Sequence, residues 1–142
     1  DTARSRGLGD VYKRQAYTEF RLNNKDGYKF KKSYPYPTGE NTLGLNCLND
    51  CNFNYPSKYS KFLLRGYGHV STSSTKKGVN GLYDMGGNVW EWVDINDNSY
   101  KGTKGGSWWY GKNQMIQGYN ATKPKNMSAV YIGFRCVKDF KN

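Results

Sequence analysis

The sequence predicts an α+β, loop-rich domain on a mixed, mostly antiparallel sheet of short strands, with little helix and too few elements to be complete. Three observations carry that expectation. Turn-forming Gly, Asn and Pro recur every few residues between residues 22 and 59, a composition that favours loops over regular elements. Four short runs are rich in aromatic or β-branched residues and are bounded by Gly, Asn or Asp, as strands are. After residue 21 no apolar pattern with a 3.6-residue period runs long enough for a useful helix.

Taken in order, residues 1–15 (DTARSRGLGDVYKRQ) hold three of the chain's six Arg and no Asn, whereas the rest is crowded with Lys, Asn and Tyr. This composition break marks a segment of separate origin, similar to adaptor sequence at the ends of translated metagenomic reads, and it is set aside from the fold. The domain proper is residues 16–142. Ala16–Arg21 reads as the end of a helix. Leu22–Tyr59 is an irregular stretch long enough to need an anchor, from a metal or from the Cys47 region. Strands are expected at Lys61–Val70, Asn88–Val93, Thr103–Tyr110 and Ala129–Val137.

The chain of 142 residues has 13 Tyr, 6 Phe and 4 Trp, and each such ring can bury roughly 150–250 Å², so the expected core is aromatic rather than aliphatic. No apolar run approaches the roughly 18 residues of a membrane span. Setting residues 1–15 aside removes four of the 22 basic and two of the 11 acidic residues and leaves a formal charge of +9. That charge alone is compatible with a polyanionic partner. Without a clustered basic stripe or a stacking motif, nucleic acid is disfavoured. Arg is scarce, and Lys, Asn and Tyr share A/T-rich codons, so a solvated surface from a low-G+C genome is the simpler reading. Cys47, Cys51 and Cys136 leave one thiol over. Cys47-x3-Cys51 is a poor zinc signature, because the lone His69 lies 18 residues on and a fourth ligand is missing.

The residues most suggestive of chemistry are Gly81-Leu-Tyr-Asp-Met-Gly-Gly-Asn-Val-Trp-Glu-Trp92. Strand alternation puts Trp90 and Trp92 on one face, and Val89, Glu91 and Val93 on the other. A carboxylate between two Val on a covered face needs a cation or a donor. Asp84 lies seven residues earlier, across the Gly86-Gly87 turn, and two carboxylates with intervening carbonyls are an oxygen-only set suited to Ca²⁺. In the competing reading, Asp84 caps the Gly-Gly turn and Glu91 pairs with a Lys. Asp94-x-Asn96-x-Asn98 resembles the opening of an EF-hand loop but has Gly105 at its twelfth position, so it reads as an Asx-rich hairpin loop. Gly105-Gly106 leads into Trp108-Trp109, whose rings would point to opposite faces of a strand, with core packing the default for both. Arg135 reads as a structural ion pair under the sheet. His69 has no partner motif to make it a general base.

In order and spacing, GLYDMGGNVWEW, Gly105-Gly-Ser-Trp108 and Ile132-Gly-Phe-Arg-Cys136 resemble the C-terminal half of the formylglycine-generating, sulfatase-modifying-factor family. The resemblance extends from the YPYPTGE turn at Tyr34 to Cys136. It implies a C-type-lectin-like fold whose N-terminal half lies outside this sequence, and calcium held by the side chains of Asp84 and Glu91 and the carbonyls of Gly87 and Val89. Family enzymes oxidise a substrate cysteine with O₂, using two cysteines after GGS that bind copper, for which soft thiolates are suited. Those positions here are Tyr110 and Met115, so copper and catalysis are not expected. The histidine-ligated iron branch is equally unsupported with one His. What remains is a binding module displaying Trp109, Tyr110, Asn113, Gln114, Tyr119 and Asn120 to a protein or carbohydrate ligand, since aromatic bodies with amide edges make adaptable contacts. Some family members use this region for ligand binding. Bacterial or phage surface proteins carry such domains, which favours an extracellular, cell-surface or virion setting. An oxidase with relocated chemistry, or a purely structural domain, are the alternatives.

Overall fold

A computed structural model describes residues 17–51, 68–93, 95 and 99–136. Their regular elements are β1 (Trp90–Val93), β2 (Tyr100–Lys104), a 3₁₀ turn (Lys112–Met115), β3 (Ala121–Pro124) and β4 (Ile132–Gly133). They form one mixed sheet in the order β3-β2-β1-β4, with β1–β2 and β2–β3 antiparallel and β1–β4 parallel. No α-helix occurs among the described residues. The expected adaptor segment, residues 1–15, lies outside them.

β1 forms where the NVWEWV pattern placed it. Three other expectations are corrected. The helix ending at Arg21 is absent: Thr18 bridges Ser33, and Tyr34 N–H donates to Tyr17 O (2.9 Å), so the backbone bonds of this segment run across to residues 32–34. β2 stops at Lys104 instead of running to Tyr110, because Gly105 (φ +92°) and Gly106 (φ +70°) take left-handed backbone that no strand continues through. The last expected strand is reduced to Ile132–Gly133. Of Lys61–Val70 only 68–70 are described; they form no strand, and Val70 pairs with a side chain instead. The loop after β1 does close a hairpin, since Val93 is paired with Gly102.

The largest buried side chains are Trp90, Trp108 and Tyr17, yet the spaces around them are filled by Leu45, Met85, Met115 and Cys51. The core is therefore aromatic and sulfur-rich. Almost as prominent are buried polar groups, Asn46, Asn88, Thr103, Asp84, Glu91 and Glu19 among them. A loop-rich chain requires this, because backbone groups without a ladder partner must find side chains. Asn88 shows the principle. Its Oδ1 accepts from Val70 N–H (2.9 Å), its Nδ2 donates to Val70 O (3.2 Å), and its own N–H donates to Asn46 O (2.8 Å).

The anchor for the long irregular stretch is the Cys47–Cys51 disulfide, with Cα atoms 5.5 Å apart. Cys136 is free and exposed. Around the closed turn, Leu48 N–H donates to Tyr110 O (3.0 Å), Lys112 N–H to Asp50 Oδ2 (3.1 Å), and Gly44 N–H to Cys51 O (3.1 Å). Closing so short a loop restrains the unfolded chain by about 2 kcal/mol. Reduction is expected to lower stability by that amount in chemical unfolding. Unchanged unfolding after reduction would mean that these hydrogen bonds alone hold the turn.

A second anchor escaped the sequence reading. The Glu19 carboxylate is buried and accepts from Arg21 N–H (2.5 Å), Arg21 Nε (3.2 Å), Arg21 Nη2 (3.1 Å) and Asn24 Nδ2, while Arg21 Nη2 also donates to Val79 O (2.8 Å). Burial alone would raise its pKa, but the hydrogen bonds and charge of Arg21, with Asn24, hold it below the ordinary carboxylate range. A depressed folded-state pKa stabilises the protein above the unfolded value of about 4.3, and that contribution fades as pH falls through the folded value. Glu19→Gln is accordingly expected to flatten the acid limb of the stability–pH curve. An unaltered limb would assign acid sensitivity elsewhere.

Candidate functional site

β1 separates two sites. On one face, Asp84, Asn88, Val89, Glu91 and Arg135 line a cavity of about 390 Å³ together with residues 72–73 and 81–83. Asp84 sits in left-handed backbone (φ +56°), which aims its carboxylate back toward the 72–75 loop. Ser73 N–H donates to its Oδ2 (2.7 Å) and Thr75 Oγ1 to its Oδ1 (2.6 Å). Glu91 is 6% exposed. Arg135 Nε and Nη2 both donate to Glu91 Oε1 (3.0 and 2.7 Å), and Nη2 reaches Tyr83 O (3.0 Å). Lys104, itself buried, stands opposite Glu91 in the β1–β2 register. The donor that a covered Glu needs is thus an arginine 44 residues away, as the reading of Arg135 expected.

Asp84, Val89 and Glu91 therefore share one cavity, with Asn88 beside them. Gly87 is not among its lining residues. What demands glycine there is contact: a Cβ on Gly87 would lie 2.4 Å from Asn46 O. Among the described residues no three His, Cys, Asp or Glu side chains gather. Each Asp84 oxygen accepts one of the bonds above, and a carboxylate offers about four lone-pair sites, so Asp84 keeps accepting capacity on the cavity side. Arg135 works against a cation there, since its charge lines the same cavity.

The opposite face of β1 carries an aromatic cluster. Trp90 lies edge-on to Tyr110 (5.5 Å between centroids) and tilted to Tyr119 (6.1 Å); Tyr131 contacts Tyr110 (5.8 Å) and Trp109 (5.7 Å); Trp109 contacts Trp108 (4.9 Å). Lys123 Nζ stands 5.5 Å from the Trp90 ring centroid and 5.6 Å from that of Tyr110. Burial, then Tyr110, raises the Tyr131 phenol above its usual pKa. Burial and the charge of Glu91 raise Tyr17 likewise, and its hydroxyl donates to Met115 O (2.9 Å).

Of the six ligand candidates, Trp109, Tyr110 and Tyr119 meet in this cluster. Gln114 is half-buried beside Gly106, and Asn113 and Asn120 are exposed, on the 3₁₀ turn and before β3. Trp108 is buried and Trp109 half-buried, but in a turn rather than on opposite faces of a strand. Tyr131 and Lys123 were not legible as members, because neither lies in a motif and only the sheet brings them in. Met115 is fully buried against Leu45, Cys47 and Cys51. His69 is exposed.

The profile of the sulfatase-modifying factor enzyme 1-like domain matches residues 15–140. The chain belongs to this family. No curated protein sequence matches it. Among solved structures, this sulfatase-modifying-factor domain is similar to one titled "Crystal Structure of CarF", at 18% identity and a TM-score of 0.52, over 72% of this chain and 36% of that one. It is also similar to Treponema denticola variable protein 1, at 25% identity and a TM-score of 0.43, over 49% of this chain and 31% of that one. The chain matches about a third of the length of either structure.

Proposed function

We propose that the chain is a non-catalytic ligand-binding module of C-type-lectin-like architecture, stabilised by Ca²⁺ and carried on a bacterial or phage surface protein. One observation carries this reading. The two positions that would supply copper-binding thiolates are Tyr110 and Met115, the first built into the aromatic cluster and the second into the core. Neither side chain supplies a thiolate. Asp84, Val89 and Glu91 lining one cavity support calcium, with the carbonyls of Val89 and Gly87 as the further proposed ligands. Trp109, Tyr110 and Tyr119 form the proposed contact surface for a protein or carbohydrate, with Asn113, Gln114 and Asn120 at its edge. A disulfide fits an oxidising, extracellular setting.

A second reading, an oxidase with relocated thiols, has one observation in its favour. The Cys47–Cys51 pair packs on Met115 and its turn is bonded to Tyr110. Against it, the sulfurs are joined and shut in, with Cys51 0% and Cys47 7% exposed, where a substrate cysteine does not reach. Incubating the protein with copper and a Cys-x-Pro-x-Arg peptide under O₂ separates the two. No aldehyde is expected, and aldehyde that disappears in Cys47→Ser would establish the second reading.

A further inference from the structure

We propose that Lys123 is the anion-binding centre of an acidic-glycan site on the aromatic face of the sheet. This deepens the ligand-binding reading above and rests on it. The register assembles the face: Trp92 is opposite Thr103, Thr103 opposite Ala121, and two residues along, Lys101 is opposite Lys123. Directly opposed residues share a face, so Trp90, Trp92, Lys101 and Lys123 all project from the same side. An anion seated on this face meets the positive charges of both strands, from Lys101 and from Lys123.

Lys123 differs from an ordinary surface lysine in being held. Its ammonium lies against both Trp90 and Tyr110. The rings attract the cation through their quadrupoles without cancelling its charge, which leaves N–H donors for an incoming acceptor. Around it, Tyr119 is 39% exposed and Trp109 half-buried, offering ring faces. Next to it, Trp92, Val93, Lys101 and Lys125 line a groove of about 310 Å³, at the small end of ligand sites. A sugar ring presents a flat C–H surface to pack on such rings, and a uronate-type sugar adds a carboxylate for the ammonium. A neutral glycan leaves Lys123 without an anionic partner. A nucleic-acid strand matches the charge, but binding it calls for a positive groove that tracks the backbone, whereas Lys101, Lys123 and Lys125 form one short cluster.

The test is a titration of the intact chain with an oligogalacturonate, its carboxyl-reduced counterpart of equal length, and a single-stranded oligonucleotide of matching charge, followed by tryptophan fluorescence. The oligogalacturonate is expected to bind on the order of tenfold more tightly than the reduced sugar, the worth of one charge-assisted hydrogen bond. Lys123→Gln is expected to erase that difference while Lys123→Arg retains it; Lys123→Gln melts slightly lower through the two ring contacts it loses, and both variants still unfold cooperatively. Equal binding of the reduced sugar, tighter binding of the oligonucleotide, an indifferent Lys123→Gln or no binding of any probe would each overturn the proposal. Equal binding of the two sugars, lost in Tyr119→Ala, would leave the ligand-binding module standing and remove only its acidic specificity. Absence of all binding together with aldehyde formation would remove both.

Discussion

Arg135→Met is expected to destabilise the protein by about 3 kcal/mol in urea unfolding, the scale of breaking a buried ion pair from one side. The physical reason is the position of Glu91. Its carboxylate is almost wholly buried on the face of β1 opposite Trp90, and Arg135 supplies two of its hydrogen bonds while tying down Tyr83 O. Removing the guanidinium takes both of these bonds from a buried carboxylate, with the buried Lys104 still opposite it. The companion variant Arg135→Met/Glu91→Gln is expected to recover part of the loss, since a neutral amide is far easier to bury than a carboxylate. A change below about 1 kcal/mol for Arg135→Met would place the pair with the weak surface ion pairs, and would mean that Arg135 does not hold the C-terminal segment to the sheet.

Gly87→Ala is expected to cost about 2–5 kcal/mol, combining left-handed backbone strain with overpacking. Gly87 has φ +73°, and its Cβ would fall 2.4 Å from Asn46 O and 2.9 Å from Asn46 C, both backbone atoms that cannot swing away. The crossing matters beyond this contact. Asn46 O accepts from Asn88 N–H, Asn46 Nδ2 donates to Gly68 O, and Gly87 N–H donates to Gly105 O, so three loops are stitched at one point. Gly118→Ala is the control: no atom lies within 4 Å of its Cβ, and it is expected to change stability by no more than about 0.5 kcal/mol. Equal melting of the two variants would show that the crossing tolerates expansion and is not a fixed point of the fold.

The parts of the architecture legible in the sequence were those written in local pattern. Alternation in NVWEWV gave the strand, its two faces and the need of Glu91 for a partner. The identity of that partner was not local: Arg135 reaches Glu91 through the parallel β1–β4 pairing, which no spacing encodes. Gly105-Gly106 falls inside the expected strand Thr103–Tyr110, where paired glycines suggest a bulge, and only their positive φ values show that they end the strand. β3 was invisible, since Ala-Thr-Lys-Pro has little strand propensity and survives as an edge strand ending on proline. The Glu19–Arg21 anchor lay inside what read as a helix end. Of the two sites, the carboxylate cavity followed from motif residues. The aromatic cluster was half legible, because its Trp109 and Tyr110 are in the motif region while Tyr131 and Lys123 arrive through sheet order.

In the proposed module, the cavity lined by Asp84 and Glu91 takes a hard cation and so fixes the strand whose other face carries the rings. Thermal melting in excess Ca²⁺ and in excess chelator measures this directly, with Asp84→Asn and Glu91→Gln alongside. The prediction is a melting point raised by about 5–10 °C by saturating Ca²⁺, a smaller rise with Mg²⁺, which is reluctant to shed its waters, and no rise in either variant. Identical melting of the unaltered protein with Ca²⁺ and with chelator would contradict it and leave Glu91 to Arg135 as a purely structural pair.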